Sequence, residues 1–424
     1  MNKKLLFTSL IMVVFCILLI ALGIRQENTS APASGKSHQT QQESSDIPEP
    51  ITATLAVCGD VMSHSPQTND AYDAATDTYS YMNCFQFVQP WIEEADYAVA
   101  NFETTLNGPP YSGYPQFCAP DALAYNMKEI GFDLVTTANN HSMDKGFNGV
   151  VRTLDTLDAA GLEHVGTYRT QEEFDTNNGV VVADINGIQV AFLSYTYGTN
   201  GIPVSEENDF CINRFNTDYM SDCSVLDEGK LNSELSYAKS LDADLIAVMI
   251  HWGIEYQTTE NAYQDQVADF LLQNGADVIL GSHSHVPQPM MERTVTLADG
   301  TQKTGFVCYS LGNFVSNQSP STVNVNYTDT TAILNLEITK DFETGKTTVT
   351  DVSYVPLLVL NRGAGVNDQY YIMDVHDAMA DYEAGDTSIV SAAVYEKLQY
   401  ALNGCHTILG EEYDIANKEA SNAA

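Results

Sequence analysis

A chain of 424 residues is long enough for one large α/β unit with appendages, or for two to three domains. Its 18 Lys and Arg stand against 56 Asp and Glu, a formal charge of −38, which excludes nucleic-acid binding because a phosphate backbone would be repelled. An apolar content of 44% allows a sizeable core. Residues 5–24 carry no charge, with Lys3 and Lys4 before them and Arg25 after. A run of that length, at helical rise, matches a hydrocarbon core of roughly 30 Å. The exit lacks an Ala-x-Ala site, so the run at 1–25 reads as an uncleaved signal anchor with its N-terminus inside; cleavage near residue 22 is the alternative. The expected location is the cell membrane, single-pass, with the bulk of the chain extracytoplasmic. Residues 26–51 are rich in Ser, Gln, Thr, Pro and Glu, too polar to offset their ordering entropy, and read as a disordered linker.

Order is expected from residue 52. Residues 53–58 form a buried strand that ends at Gly59-Asp60. A loop over 62–82 and a helix over 83–95 follow. The strand 97–102 ends at Glu103, a helix spans 120–130, and the strand 134–137 spills into Asn139-Asn140-His141. A helix over 148–160 stops at Gly161, and strands 180–183 and 188–193 make a hairpin around Asn186-Gly187. Residues 198–223 are a long polar loop, a candidate lid. A helix over 226–241, a strand over 245–250 ending on His251, and a helix over 261–274 come next. The strand 278–280 delivers Gly281-Ser282-His283-Ser284-His285. Beyond it helical periodicity vanishes until about residue 375, and short strands are expected at 290–297, 305–309, 330–339 and 347–359. Helices alternating with strands and then giving way to hairpins predict a layered α/β sandwich with mixed sheets over 52–365. Residues 366–424 form a C-terminal extension with one helix near 391–402. Of the eight cysteines, Cys211 could pair with Cys223 and Cys84 with Cys118, while Cys58 and Cys308 read as buried thiols.

Five strand ends carry ligand-type residues: Asp60, Glu103, Asn140 with His141, His251, and His283 with His285. In open α/β sheets, sites gather beyond the carboxyl ends of strands, so residues two hundred positions apart can meet. Carboxylate, amide and imidazole together suit a divalent Mn²⁺, Zn²⁺ or Fe²⁺, one or two ions. A carboxylate between imidazoles is compatible with a two-metal site acting on an anionic or carbonyl-containing substrate.

Six motifs in order resemble the CapA capsule-synthesis family, which is associated with poly-γ-glutamate. They are Cys58-Gly59-Asp60-Val61-Met62, Asn101-Phe102-Glu103-Thr104, Ala138-Asn139-Asn140-His141-Ser142-Met143-Asp144, His251-Trp252-Gly253, Gly281-Ser282-His283-Ser284-His285 and Tyr309-Ser310-Leu311-Gly312-Asn313-Phe314. That family is similar in fold to calcineurin-like metallophosphoesterases. The resemblance implies a four-layer α/β/β/α sandwich with a metal centre at the strand ends. It implies Asp60 and His285 on a first metal, Glu103 bridging, Asn140, His251 and His283 on a second, and His141 as the acid that protonates the leaving group. It also implies work on an envelope polymer beside other capsule-synthesis membrane proteins, as a hydrolase or as a non-catalytic subunit of a polymer synthase or exporter. The sequence departs from the phosphoesterase pattern in three places. Met62 stands where a His is usual, with His64 two residues on. The bridging acid is Glu rather than Asp. Ser142 follows His141, which leaves Asp144 or Glu255 to orient that imidazole.

Overall fold

The computed structural model describes residues 47–422. The apolar run 5–24 and most of the linker lie outside the described residues, among which no helix is long and apolar enough to cross a membrane. Two mixed sheets dominate the unit from Pro48 onward.

The first sheet is built from β1 (Ile51–Val61), β2 (Tyr97–Phe102), β3 (Leu134–Thr136) and β4 (Glu163–Val165), side by side and parallel. The second contains β5 (Val181–Ile185), β6 (Ile188–Thr196), β7 (Leu245–His251) and β8 (Val278–Ser282), of which β6, β7 and β8 are parallel. An antiparallel edge completes it, from β9 (Pro287–Thr296) and β10 (Gln302–Leu311). The short β11 (Asn313–Val315) crosses back to pair with β1. The antiparallel β12 (Thr330–Asp341), β13 (Lys346–Asn361) and β14 (Tyr370–Asp374) then extend the first sheet on the other side of β1.

The apolar runs are continuous because both faces of these central strands are covered. Successive side chains point to opposite faces. Leu55 and Val57 of β1 meet Leu245, Ala247 and Met249 of β7 in one core between the sheets. Ala56 and Cys58 face outward onto the helices α1 (Ala122–Glu129) and α2 (Gly146–Ala160). Ile246, Val248 and Ile250 face α3 (Glu228–Ser240) and α4 (Ala262–Gln273). Three apolar seams separate four layers, α/β/β/α, as the resemblance implied. Each fully buried Val, Leu or Ile in them contributes about 1.5–3 kcal/mol of transfer free energy.

Several local expectations are corrected. The helix expected over 83–95 is two short ones, Met82–Phe85 and Gln89–Glu94. Pro90 lacks an N–H and fits only the first turn of a helix, so a second one starts there. The stretch 62–82 contains a helix, Ser65–Asp70, and a small ribbon of Tyr72–Asp73 with Thr78–Tyr79. The cysteine pairs do not form. Cys84, Cys118, Cys211 and Cys223 are all free; the Cys118 thiol donates to the Gly108 carbonyl at 3.4 Å and that of Cys223 to Tyr219 at 3.3 Å. Cys58 and Cys308 are buried free thiols.

The segment after 365 supplies the edge strand β14 and two helices, α5 (Val375–Glu383) and α6 (Ala392–Cys405), on a separate apolar cluster with Leu358 and Leu360. Asp414 ties down its end. It is buried and accepts from His376 Nε2 and His406 Nε2, both at 2.8 Å, and from the Ala416 N–H at 3.0 Å. Burial pushes the Asp414 carboxyl up, but the histidine hydrogen bonds win and hold it below its ordinary value. The same bond lifts His376 above its ordinary value, against the smaller opposing effect of burial.

The stability from this pair is therefore full between about pH 4 and 6.5, the ordinary values of the two groups. It is lost on the acid side as pH falls through the depressed carboxyl pKa, and the His376 share is lost as pH rises through the raised imidazole pKa. Urea midpoints from pH 6 to 8.5 should fall more steeply in the wild type than in His376→Gln. Asp414→Ala should cost about 2–4 kcal/mol, because two polar partners lose a buried acceptor.

Candidate metal centre

The carboxyl ends of β1, β2, β3, β7 and β8 meet at one end of the sandwich, and each delivers polar side chains there. At β1 the register against β2 shifts between Cys58 and Asp60. Gly59 permits the shift: a Cβ on it would lie 1.9 Å from the Gly312 carbonyl oxygen. This close approach lets β11 pair with β1 at Asp60 and Asn313. At β2 the Glu103 N–H donates to the Val61 carbonyl at 3.0 Å, which sets its carboxylate beside Asp60. After β3 the loop is pinned by Asn139, whose Nδ2 donates to the Phe102 carbonyl at 2.9 Å and whose Oδ1 accepts from the His141 N–H at 3.1 Å.

The histidine pair after β8 is not an extension of the strand. His283 and His285 both have left-handed backbone, with φ of 101° and 58°. Such conformations cost a non-glycine residue about 1–3 kcal/mol each. Neighbours hold them. The His283 N–H donates to Asp60 Oδ2 at 3.3 Å, and Asn313 Nδ2 donates to the His285 carbonyl at 3.1 Å.

The result is a crowd of acceptor atoms. His251 Nε2 lies 3.1 Å from Asn140 Oδ1, 3.1 Å from His283 Nδ1 and 3.6 Å from Glu103 Oε1. His285 Nδ1 lies 3.3 Å from Asp60 Oδ2. Two donor sets emerge, Glu103 with His251 and His283, and Asp60 with Glu103 and His285, each with its atoms within 4.8 Å of one another. Glu103 belongs to both. All five residues are buried.

Burial, then the neighbouring imidazoles, pushes His251 and His283 well below their ordinary pKa, so both are neutral with a lone pair to offer. With Nδ1 of His251 protonated toward Ser282 Oγ at 2.8 Å, its Nε2 lone pair faces the crowd. Burial, then the carboxylates of Asp60, Glu255 and Asp144, pushes Glu103 well up. Glu103 Oε1 and His285 Nδ1 are buried with no hydrogen-bond partner among the described residues; the approach of His285 to Asp60 is close but not aligned. Orphaned acceptors are costly in a protein interior. A divalent cation satisfies them all at once, so the residues present fit a metal.

His141 stands beside this crowd. Its Nδ1 is 2.7 Å from Asp144 Oδ2, which also accepts the Phe117 N–H at 2.6 Å. Asp144, not the exposed Glu255, orients it. Its Nε2 is 3.4 Å from Asn200 Nδ2, in the long loop after β6. Met62 is buried and offers no oxygen or nitrogen. His64 joins neither donor set. Its Nδ1 accepts the Asn317 N–H at 3.3 Å, and burial, followed by repulsion from His285, lowers its pKa to about 4.

Residues 54–318 match the model of the family described as bacterial capsule synthesis protein PGA_cap. The chain belongs to that family. The matched span contains every residue of the metal crowd. Among its capsule-synthesis relatives, the capsule biosynthesis protein CapA of Bacillus anthracis is 29% identical over 243 residues, covering 55% of this chain and 54% of that protein. The PGA biosynthesis protein CapA of Bacillus subtilis is 28% identical over 240 residues, covering 55% and 57%. The chain thus spans about half the length of the curated relatives it matches. Among solved structures, a phosphatase from Mycoplasma pneumoniae aligns with a TM-score of 0.40 at 14% identity, over 73% of this chain and 94% of its own.

Sequence reasoning missed one residue of this capsule-family site. Asn101 Nδ2 is 2.8 Å from Asp60 Oδ1, 3.5 Å from Glu103 Oε2 and 3.2 Å from His251 Nδ1. Its Oδ1 accepts from Thr136 Oγ1 at 3.1 Å. The signal was there: an amide in an otherwise apolar strand, two residues before Glu103 and so on the same face. Asn101→Leu should leave the fold intact and weaken metal binding about 10–100-fold, the usual effect of losing a group that orients ligands. Titration with Mn²⁺ or Zn²⁺ followed by calorimetry checks this.

Proposed function

We propose that this capsule synthesis protein carries a metal-dependent, hydrolase-like centre that acts on a phosphoester or amide bond in capsule or cell-envelope polymer metabolism. The observation that carries the reading is the pair of buried donor sets sharing Glu103, with the His141–Asp144 pair beside them. Asp60 and His285 would hold one ion, and His251, His283 and Asn140 a second, with Glu103 common to both. Mn²⁺, Zn²⁺ and Fe²⁺ suit this mixture of oxygen and nitrogen donors. A divalent ion there supplies Lewis-acid polarisation of a phosphoryl or carbonyl oxygen and acidifies a water. Asp144 fixes the His141 ring by accepting a hydrogen bond from its Nδ1–H, which stays on the ring. Nε2, the ring nitrogen away from Asp144, gives a proton to the leaving oxygen or nitrogen as the scissile bond breaks. Asn200 Nδ2 lies 3.4 Å from that nitrogen, in the long loop after β6.

The relatives' names support a poly-γ-glutamate-like polymer as the substrate class. The uncharged run 5–24 supports a single-pass anchor that holds the unit on the extracytoplasmic face, beside other capsule-synthesis membrane proteins. One observation favours a second reading, a non-catalytic subunit of a polymer synthase or exporter. Met62 gives the Asp60–His285–Glu103 ion no fourth protein donor, and His64 is occupied by Asn317.

Elemental analysis of the purified full chain should find about one to two equivalents of Mn, Zn or Fe after loading. Glu103→Gln should lose them, and retention of metal by that variant would remove the shared-ligand role. His141→Ala should keep its metal and lower capsule output, with hydrolysis of a generic phosphodiester or amide falling about 10²–10⁴-fold. Unchanged output from that variant would favour the supporting-subunit reading.

A further inference from the structure

A second feature of the unit has no part in the metal chemistry. A cleft of about 970 Å³ opens between the helix Ser65–Asp70, the small ribbon after it and the loop 361–370. Its walls hold an unusual concentration of amides: Asn69, Asn83, Asn317, Asn361, Asn367 and Gln369. Tyr72 stands at its edge, 40% exposed. Gly363 and Gly365, both at positive φ, bare the backbone of the loop.

The charges in the cleft decide what can bind. Among the described residues its lining has three carboxylates, Asp70, Asp73 and Asp368, and no Lys or Arg. An anionic polymer would meet only like charge there, on a chain already at −38. The carboxylates are also engaged by the protein's own donors. Asp70 accepts the N–H groups of Gln369 at 2.9 Å and Tyr370 at 3.2 Å. Asp73 accepts from the Ala75 N–H at 2.8 Å and Thr76 Oγ1 at 2.9 Å, and Asp368 from Asn83 Nδ2. A hard cation needs several such oxygens free. Nearby Arg362 is spent as a brace: it donates to the carbonyls of Asn367 at 3.3 Å and Asp368 at 3.2 Å and lies over the Tyr371 ring.

Asn83, Asn317, Asn361 and Gln369 already bond within the protein, through Asp368, Tyr370 and one another, so Asn69 and Asn367, with Asn317 Nδ2 and Gln369 Oε1, are the donors and acceptors left to meet a ligand. Amide side chains offer one of each kind, as do sugar hydroxyls. A half-exposed tyrosine face suits the apolar face of a sugar ring. Beneath the cleft lies a smaller hollow that shares Asp70, Ala71, Ser80, Asn83 and Tyr370 with it. Gln67 lines that hollow. It is 2% exposed; its Oε1 accepts the His64 N–H at 3.0 Å, and its Nε2 has no partner among the described residues. A buried amide donor without an acceptor is a group awaiting a ligand oxygen or a water.

We infer that this cleft binds a neutral, hydroxyl-rich glycan. The cleft also reaches toward the metal centre. Asn317 lines it and donates its N–H to His64, whose ring meets Phe117 at 5.0 Å, and Phe117 meets His141 at 4.7 Å. A glycan held there fixes the protein to a sugar chain while the metal centre works on a neighbouring group. Binding at the cleft requires no metal, so it stands or falls separately from the proposed hydrolysis.

The test is calorimetric titration of the full chain in detergent micelles, with EDTA present, using chitotetraose as a neutral probe that carries hydroxyl and acetamide groups. Asn69 and Asn367 are exposed, and their side chains make no hydrogen bond among the described residues, so Asn69→Ala/Asn367→Ala should fold normally. Chitotetraose should bind the wild type, and the double variant should bind it at least about fivefold more weakly, as the loss of two hydrogen bonds implies. Tyr72→Ala, with an unchanged melting temperature, should weaken it as well. No binding at millimolar probe would overturn the inference, as would equal affinity in the double variant. So would a poly-γ-glutamate oligomer that binds in place of the sugar and is weakened by the same substitutions.

Discussion

A carboxylate buried at the meeting of two sheets is the constraint on which the rest of the site depends. Glu103 has no exposure and one of its oxygens has no protein partner. An isolated ionised carboxylate in such a place is prohibitively costly, so its surroundings must supply compensating charge or hydrogen bonds. The sandwich arranges this by pointing five strand ends at one volume. The bulge at Gly59 turns Asp60 inward, Asn101 stitches Asp60 to Glu103, and Asn313 holds the carbonyl of a strained His285. Each device opposes like-charge repulsion or backbone strain that the fold would otherwise relieve by moving the ligands apart.

The fold was legible where a run of side chains had one environment. β1, β7 and β8 are continuous apolar segments because they are covered on both faces, and their polar ends stand out against them. The same contrast exposed Asp60, Glu103, Asn140, His251, His283 and His285, which meet in space. What the sequence did not show depended on chain crossings. Asn101 stands out as an amide in an apolar strand, but its bond to Asp60 Oδ1, and so its part in orienting the ligands, depends on a neighbouring strand. His283 and His285 stand out at the end of a strand, but their positive φ values are set by Asp60 and Asn313 holding the loop. The cysteine pairs were a guess from spacing, and the carbonyls that occupy Cys118 and Cys223 could not be read locally.

Polar density is not uniform over this acidic molecule. The metal crowd concentrates acceptors that only a cation can satisfy together. The cleft beyond His64 has its carboxylates already satisfied and presents amides instead. Two neighbouring volumes with the same overall sign of charge are thus prepared for opposite kinds of ligand. The difference lies in whether the protein's own N–H groups reach the oxygens first.

The first sheet also has a temporal side. β1 is the first strand among the described residues, yet one of its edges pairs from Ile51 with Lys340 through Val57 with Leu334, and its end pairs with Asn313. Its other edge pairs with β2, close by in sequence. One side of the central strand can therefore be closed early, while the other has to wait for almost the whole chain. Until then a long apolar strand lies open along one edge, and loop closure over nearly three hundred residues sets the pace of its completion. Asp60 sits at the end of that waiting strand, so the site gains its shape among the last events of folding, after every other ligand has been synthesised.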